Sequence, residues 1–304
     1  MDAETSRTDG LDPVGETLRA SSAPVAWADA RAANLANWQD RVSIHEVAYG
    51  LDDFDDPAHL SDVVTYDLER LAEHLGEGPL DGLEVCHLQC HIGTDTVSLA
   101  RAGAARVVGV DFSPAALAST ATLAERAGVA ERTAWVETDV LDARAAVSGE
   151  FDVVYTSIGT ISWLEDLDRW AQQIAALLGP GALFYFRDGH PFMDTLDEHA
   201  PGLTAAYRYF PNGRAREWDD AGSYVGDGTV EHSCHYDYPH SISEVLNALV
   251  GAGLSIVAMH EDDVLPWQFS PRMVKVAGGW AWPGVDRERV PLTWTVVARA
   301  AHRP

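Results

Sequence analysis

Short apolar runs alternate with helical patterns through the middle of this chain, and this alternation restricts the fold more than any other feature. The apolar runs are predicted strands at residues 83–88, 106–111, 133–139, 151–157 and 182–188. The helical patterns between them cover residues 95–103, 113–128 and 163–178. Strands and helices that alternate at this spacing form right-handed βαβ units. We therefore predict an α/β fold with a doubly wound, Rossmann-like sheet that is mostly parallel.

The segments on either side of this core predict additions to it. Polar and aromatic residues alternate between residues 190 and 240, which is typical of antiparallel strands. Further predicted elements are helices at 24–49, 57–75 and 241–253 and strands at 254–263 and 292–300, the last of them antiparallel. The expected organisation is a mobile tail at 1–22, helices covering the pocket at 23–80, a core at 81–189 and 241–304, and an inserted antiparallel cap at 190–240, with a smaller insertion at 263–291.

The charge of the chain argues against several kinds of partner. It has 47 acidic and 21 basic residues, a formal net charge of −26, and no local cluster of Lys or Arg. Such a field repels phosphate backbones, so we expect no nucleic-acid partner. No apolar run approaches the roughly 20 residues that span a bilayer, and the start of the chain lacks a signal-peptide pattern. Three cysteines cannot all pair, which favours free thiols in a reducing, cytoplasmic setting. We therefore predict a cytoplasmic protein without membrane contact. The sequence leaves the oligomeric state open.

A dense group of possible metal ligands lies at the end of the first core strand. Cys86, His87, Cys90 and His91 stand within six residues, and the spacing of the two cysteines suits a zinc site. However, Cys86 and His87 are neighbours in a strand, where successive side chains point to opposite faces. No second Cys/His pair follows nearby, because Cys234 and its neighbour lie in the distant insertion. We therefore expect no metal.

The same segment is better interpreted as the first strand-to-helix turn of a nucleotide-binding half-sheet. A dinucleotide site has the pattern G-x-G-x-x-G, in which the second glycine lets the backbone contact the pyrophosphate. Here the matching positions hold Gln89 and His91, and only Gly93 is a glycine. Such a bulky loop would obstruct a diphosphate but can hold a ligand that has no phosphate.

At this point the sequence resembles the class I S-adenosylmethionine-dependent methyltransferases, from about residue 83 to residue 188. The first motif of that family is an acid followed by Gly-x-Gly-x-Gly, and here it reads HLQCHIG, with His87 in place of the acid. This variant resembles a subgroup of small-molecule methyltransferases with an HLQCH motif. Further matches in the same order are GVDFSP (109–114), ETDVLD (137–142), and FDVVYTSIG followed by GPGALFYF. The resemblance implies S-adenosylmethionine as the cofactor, S-adenosylhomocysteine as the product and a small molecule as the acceptor.

The resemblance also implies which residues bind the cofactor. Asp111 would accept hydrogen bonds from the ribose hydroxyls, with capping of the helix that begins at Ser113 as the alternative role. Phe112 would lie beside the adenine, Asp139 would accept a hydrogen bond from the adenine amino group, and Val140 would offer its N–H. For Asp139 and Val140 a plain loop after the third strand is the alternative. The other candidates, around the methionyl tail, are Gln89, His91, Gly93, Thr94, Asp95 and Ser157.

Methyl transfer removes the positive charge of the sulfonium, so catalysis depends mainly on alignment and desolvation of donor and acceptor. A base is needed only when the acceptor must lose a proton. Our candidates for that base are His190, just after the strand that ends at residue 188, and His240 at the exit of the cap. For His190 the alternative is an ordinary loop histidine. His45, Tyr49 and Trp163 are candidates for contact with the substrate, and packing is the alternative for the first two.

The leading hypothesis is therefore an enzyme, a methyltransferase that modifies O, N, S or C of a small molecule, in specialised metabolism. A nicotinamide-dependent oxidoreductase on a similar sheet is one alternative, although the missing glycines and the lack of a Tyr-x3-Lys pair speak against it. A binding module that keeps the fold without catalysis is another, because His87, Gln89 and His91 depart from the family's first motif. His87 itself is predicted to be a buried histidine with a satisfied hydrogen bond.

Overall fold

The structure, a computed structural model, describes residues 21–223, 225–226 and 228–301. Residues 1–20 of the predicted mobile tail lie outside this part of the chain, and its last two residues belong to the first strand. The strands are β1 (Ser21–Ala23), β2 (Glu84–Leu88), β3 (Arg106–Asp111), β4 (Thr133–Glu137), β5 (Phe151–Thr156), β6 (Leu178–Gly189), β7 (Ala215–Asp219), β8 (Cys234–Asp237), β9 (Ser255–Asp262), β10 (Val274–Val276), β11 (Gly279–Ala281) and β12 (Thr293–Arg299). The α-helices are α1 (Trp27–Ala48), α2 (Asp62–Leu75), α3 (Thr94–Arg101), α4 (Pro114–Arg126), α5 (Ala143–Ala146), α6 (Leu167–Leu177) and α7 (Ile242–Gly251).

Seven strands form one sheet in the order β4-β3-β2-β5-β6-β12-β9. The pairs from β4 to β6 are parallel, whereas β12 is antiparallel to both β6 and β9. The chain progresses from β2 outwards to β4 and then returns to the other side of β2, so the strand order reverses beside β2. The predicted doubly wound α/β sheet with an antiparallel last strand is confirmed.

Apolar layers cover both faces of the sheet, as parallel strands require. Helices α6 and α7 pack on one face through Trp170 and Val245, and α2 and α4 pack on the other through Leu71 and Leu123. Trp170 is fully buried, and burial of a large apolar side chain contributes roughly 2–3 kcal/mol. Strands buried on both faces need continuous apolar runs, which is why such runs in the sequence predict the core strands.

Capping residues fix where several helices begin. Ser113 caps α4 and Pro114 occupies its first position, and Ser241 forms a capping box with Glu244 at the start of α7. These helices begin within one residue of the predicted position. The helix predicted from residue 57 begins at residue 62 instead, because Ser61 caps it by accepting a hydrogen bond from the backbone of the first turn. The helix predicted from residue 163 begins at residue 167, after a short 3-10 turn.

The inserted segment pairs with the beginning of the described chain. β1, β7 and β8 form a three-stranded antiparallel sheet, and helix α1 packs on β8. Asn34 of α1 accepts a hydrogen bond from Tyr236 N at 2.8 Å and donates one to Tyr236 O at 2.9 Å. The polar-aromatic pattern at residues 207–210 forms no strand, unlike those at β7 and β8. In the described ranges of the chain, no helix is both long enough and apolar enough to cross a membrane.

Candidate functional site

A cavity of about 780 Å³ lies at the carboxyl ends of the parallel strands. Its wall comes from the loops after β2, β3, β4 and β5, from helix α1, and from part of the second insertion. Ligands of doubly wound sheets bind at this edge, where the strand order reverses. The volume also falls in the range of small-molecule sites, about 300–1,000 Å³. The fold therefore places one large candidate site directly over β2.

The loop after β2 has an unusual backbone. Gln89 and His91 have φ angles of 57° and 48°, and Gly93 has 75°. These are the three positions at which the resembled family has glycines. Left-handed backbone costs a residue with a Cβ roughly 1–2 kcal/mol relative to right-handed backbone, and such conformations concentrate at functional sites. The turn of the family's first motif is thus kept with two bulky side chains in place of glycines.

Cys86 and Cys90 are buried thiols and do not lie in a metal-binding group. Desolvation raises the pKa of Cys86 to about 12 and lowers that of His87 to about 3. The Nδ1 atom of His87 lies 2.8 Å from Thr96 Oγ1, as expected for a buried histidine with a hydrogen bond. Within the part of the chain that is described, the side chains close enough to share an ion are Glu73, His74 and His260 on α2 and β9.

Asp111 ends β3 on the wall of the cavity and is almost fully buried. Its Oδ2 accepts a hydrogen bond from His91 N at 2.8 Å, and its Oδ1 accepts one from Ser113 N at 2.9 Å. The carboxylate therefore joins the loop after β2 to the start of α4 and still has acceptor capacity towards the cavity. Desolvation raises its pKa to about 6, so it is ionised at neutral pH.

Asp139, just after β4, is a second carboxylate on the cavity wall. Its partner, Arg31, was not indicated by the sequence. Asp139 accepts hydrogen bonds from Leu141 N at 2.9 Å and from Arg31 Nε of helix α1. The Arg31 guanidinium also lies 5.6 Å from the centre of the Phe112 ring, a cation–π distance. Arg31, Phe112, Asp139 and Val140 all line the cavity. No local pattern reveals Arg31, because 108 residues separate it from Asp139.

Asp95, in the first turn of α3, and Ser157, after β5, form another part of the wall. Ser157 Oγ lies 3.5 Å from Asp95 Oδ2 and 2.8 Å from Tyr155 Oη. Behind them Tyr155 donates a hydrogen bond to Asp67 of α2, which is fully buried and forms an ion pair with Arg187 of β6 at 2.6 Å. A buried polar network thus connects the cavity with α2 through the sheet.

Asp188, at the end of β6, holds the loop that follows β5. Its carboxylate accepts hydrogen bonds from the backbone N–H groups of Gly159, Thr160 and Ile161. Gln89 Nε2 donates a hydrogen bond to Thr160 O at 3.1 Å from the opposite loop. Through these contacts the loops after β2 and β5 have a fixed relation across the cavity.

The two histidines predicted as bases do not lie on the cavity. His190 Nε2 is 2.9 Å from Glu261 Oε1, and its Nδ1 accepts a hydrogen bond from Phe192 N at 3.0 Å. His240 Nε2 donates to Leu164 O at 2.7 Å. Both therefore have structural partners, and the position of His190 fits the alternative of a loop histidine. His190 follows β6, which lies between β5 and β12, outside the strands whose loops bound the cavity, so a catalytic role for either histidine stays a prediction that this cavity does not support.

The candidates for substrate contact divide in the same way. Tyr49 and Trp163 lie on the cavity wall, whereas His45 is fully buried behind it. His45 Nδ1 and His91 Nε2 lie 2.7 Å apart and share a hydrogen bond, and the His45 ring stacks on Tyr49 at 5.0 Å. Desolvation lowers the pKa of His45 to about 3 and that of His91 well below its usual value, so both are neutral at pH 7. Trp38 packs edge-on against His91 and Trp163 and also lines the cavity.

Most of the predicted cofactor residues therefore meet at one cavity. Those on its wall are Gln89, His91, Gly93, Thr94, Asp95, Asp111, Phe112, Asp139, Val140 and Ser157. Ser113 is not on the wall and caps α4 instead.

Residues 86–184 match a family described as a methyltransferase domain. This middle segment of the chain is thus similar to methyltransferase domains. The predicted class of enzyme, a methyltransferase, is thereby confirmed, whereas the narrower HLQCH-type subgroup stays a prediction. No relative was found among curated protein sequences.

Solved structures share the fold of this segment together with much of the rest of the chain. An S-adenosylmethionine-dependent methyltransferase from Mesorhizobium loti is 24% identical, with a TM-score of 0.53, and the match covers 77% of this chain and 97% of that one. Geranyl diphosphate C-methyltransferase from Streptomyces coelicolor is 14% identical, with a TM-score of 0.52 and coverage of 91% and 98%. An S-adenosylmethionine-dependent methyltransferase from Clostridium acetobutylicum is 13% identical, with a TM-score of 0.51 and coverage of 88% and 98%. At these identities the likeness shows the fold alone.

Proposed function

We propose that this protein transfers a methyl group from S-adenosylmethionine to a small molecule held in the 780 Å³ cavity. The proposal rests on Asp111, a buried carboxylate at the end of β3 that faces the cavity beside a left-handed loop. A carboxylate at this place can accept hydrogen bonds from both hydroxyls of a ribose. The methyltransferase-domain match and the solved neighbours support the predicted cofactor.

The residues present fit this cofactor. Asp111 would hold the ribose, and Phe112 with Val140 would contact the adenine. Asp139 would accept a hydrogen bond from the adenine amino group while it also binds Arg31. The first turn of α3 presents free N–H groups, which suit the carboxylate of the methionyl tail. When bound, S-adenosylmethionine supplies an electrophilic methyl group on a sulfonium.

The protein's own contribution is alignment and exclusion of water. Trp38 and Trp163 form aromatic walls, and Trp267 from the second insertion adds a third. Such walls suit an apolar or ring-bearing acceptor and remove water around the reacting atoms. His91 and His45 are neutral and engaged with each other, so they add no charge that would repel a sulfonium.

A small acceptor fits the enclosure better than a protein or a nucleic acid does. Residues of helix α1 and the segment that carries Trp267 line the cavity together with the loops of the sheet, and the chain has a net charge of −26. We also place the reaction in specialised metabolism, and one solved neighbour, geranyl diphosphate C-methyltransferase, is named for a small acceptor. The methylated atom, O, N, S or C, and the cytoplasmic location stay predictions.

Titration calorimetry with S-adenosylmethionine and S-adenosylhomocysteine tests the cofactor. We expect both to bind and the variant Asp111→Ala to bind about 100-fold more weakly or worse, because hydrogen bonds to a charged group contribute about 1.5–3 kcal/mol each. Asp142→Ala is the matched control, since Asp142 also belongs to a motif of the resembled family, ETDVLD, but is exposed and pairs with Arg169. Binding of NADH without binding of S-adenosylhomocysteine would favour the oxidoreductase instead.

Turnover separates an enzyme from a binding module. The protein with S-adenosylmethionine is incubated with a panel of phenols, amines, carboxylates and thiols, and mass spectrometry measures methylated products and S-adenosylhomocysteine. Formation of both in equal amounts supports the proposal. Tight cofactor binding with no product from the whole panel would favour a non-catalytic module, because the same fold supports different functions.

A further inference from the structure

The methionyl tail of the proposed cofactor carries an ammonium group, and the usual acid for this region is missing. At the family's acid position stands His87, which is neutral at pH 7 because burial lowers its pKa to about 3. Its Nδ1 is already within 2.8 Å of Thr96 Oγ1. A neutral imidazole with one nitrogen engaged cannot supply the negative charge that an ammonium needs in a desolvated site.

Five carboxylates line the cavity, and four of them are unsuitable for this task. Asp111 binds two backbone N–H groups and is assigned to the ribose. Asp139 is engaged by Arg31. Asp53 and Asp62 are exposed in the segment between α1 and the start of α2, where water screens a charge. The remaining carboxylate is Asp95.

Asp95 lies two residues after Gly93, in the first turn of α3, and is only partly exposed, with its accessible part at the cavity. The positive end of the helix dipole stabilises a carboxylate at this position. The hydroxyls of Ser61 and Ser157, the latter at 3.5 Å, are hydrogen-bond partners of this carboxylate, and both are neutral groups. The nearby cation Arg187 is ion-paired with Asp67 at 2.6 Å, so the charge of Asp95 is left for a ligand.

We propose that the Asp95 carboxylate holds the ammonium group of the methionyl tail, in place of the acid that His87 has replaced. The inference rests on the proposed function, because it assigns part of the same cofactor site. The first turn of α3 thus contacts both charged groups of the tail. Its backbone N–H groups suit the carboxylate, and the Asp95 side chain binds the ammonium. Burial raises the pKa of Asp95 to about 6, so at pH 7 it is ionised and poorly solvated, the state in which a cation is bound most strongly.

Three ligands that differ only in the tail test the assignment by titration calorimetry at pH 7.5. S-adenosylhomocysteine has both charged groups, its deaminated analogue lacks the ammonium, and 5′-methylthioadenosine lacks the whole tail. In Asp95→Asn we expect S-adenosylhomocysteine to bind about 10- to 100-fold more weakly, as for loss of a charge-assisted hydrogen bond. Binding of the other two ligands should change by less than about twofold.

Two further variants keep the result interpretable. Asp53→Asn removes an exposed carboxylate from the same cavity wall and should leave all three affinities unchanged. Asp95→Glu keeps the charge and should retain most of the preference for S-adenosylhomocysteine over its deaminated analogue. Thermal melting of each variant checks that it is folded.

Each outcome bears on a different statement. Equal weakening of all three ligands in Asp95→Asn, or no weakening of any, would overturn the role of Asp95 while leaving the proposed function intact. If the wild-type protein binds none of the three, the proposed function fails and the assignment with it. Selective loss for S-adenosylhomocysteine supports both.

Discussion

At the scale of single residues, the turn between β2 and α3 keeps a left-handed backbone although two of its three glycines are replaced by other residues. Gly93 is the one glycine left among the three left-handed positions, and a Cβ there would lie 2.0 Å from Thr120 Cγ2. Gln89 and His91 tolerate the same conformation because their side chains have partners, Thr160 O and His45. Glycine is therefore retained at position 93, where a side chain would not fit, and is replaced at positions 89 and 91, where one does.

Gly93→Ala should be strongly destabilising. It adds a strained left-handed residue and a collision with Thr120, and overpacking of a tight core typically costs about 1–3 kcal/mol beyond the roughly 1–2 kcal/mol of backbone strain. Gly128→Ala is the matched control, because Gly128 has a φ of 72° and open space around the added Cβ. Urea denaturation measures the free energy of unfolding of both variants. Equal losses of stability would show that the structure relieves the collision with Thr120.

Asp95 also connects the site with stability. Its pKa rises from 3.8 to about 6 on folding, chiefly by desolvation, so the folded form binds the proton more tightly than the unfolded chain. Stability therefore falls as pH rises from about 4 through about 6, where the buried charge forms. Asp95→Asn removes this penalty and should stabilise the free protein by about 1–3 kcal/mol above pH 6 and by almost nothing below pH 4. Thermal melting across this pH range measures the difference, and Asp53→Asn controls for the change in net charge. A gain of equal size at every pH would contradict the explanation by titration.

At the scale of elements, the buried pair of Asp67 and Arg187 joins helix α2 to strand β6. Both side chains are almost fully buried, and the hydroxyls of Tyr155 and Tyr185 also donate to Asp67. Removal of one member of such a pair leaves an uncompensated charge, which typically costs about 3–5 kcal/mol. The pair therefore fixes where α2 lies on the sheet.

Arg187→Met should destabilise the protein by about 3–5 kcal/mol in urea denaturation. Arg106→Met is the control, because Arg106 forms an exposed pair with Glu84 at 3.6 Å and such pairs contribute about 0–1 kcal/mol. The double variant Asp67→Leu/Arg187→Met should recover part of the loss, since it leaves no buried charge. The free energies of unfolding of both single variants and of the double variant complete the comparison. If the loss in the double variant equals the sum of the losses in Asp67→Leu and Arg187→Met, the two residues are not coupled.

The elements themselves could be predicted from the sequence because their signals are local. Continuous apolar runs mark the buried strands, and Ser113 with Pro114 or Ser241 with Glu244 marks a helix start. The strand-end acids Asp111 and Asp139 could be found for the same reason, since parallel strands end at one edge.

Other parts of the site depend on contacts between distant segments, and no local pattern contains them. Arg31 meets Asp139 across 108 residues, and Asp67 meets Tyr155 across 88. A charged residue within the apolar run of β6, Arg187, was the available sign of a buried partner. His190 shows the converse, because a residue that follows a strand at the correct edge of a sheet need not border the cavity.

At the scale of the whole molecule, the net charge affects the stability of the folded state. The chain has a net charge of −26, and a charge so far from zero destabilises the compact state through self-repulsion. The ion pairs on the surface oppose this only in part, because exposed pairs such as Arg106 with Glu84 contribute little. Repulsion among distant surface charges should therefore depend strongly on ionic strength.

The melting temperature of the free protein should rise with salt. Between about 0.01 M and about 0.1 M ionic strength the Debye length falls from about 30 Å to about 10 Å, which removes most of the repulsion across the molecule. We expect an increase of roughly 2 °C or more, the shift that about 1 kcal/mol produces in a chain of this size. NaCl and KCl should act alike, since screening depends on ionic strength and not on the identity of the ion. A midpoint that falls with salt would mean that attractive pairs, such as Arg216 with Asp237 at 2.6 Å, outweigh the repulsion. A rise with only one of the two salts would point to a specific ion site instead of a field, and the acidic surface would then have no general effect on stability.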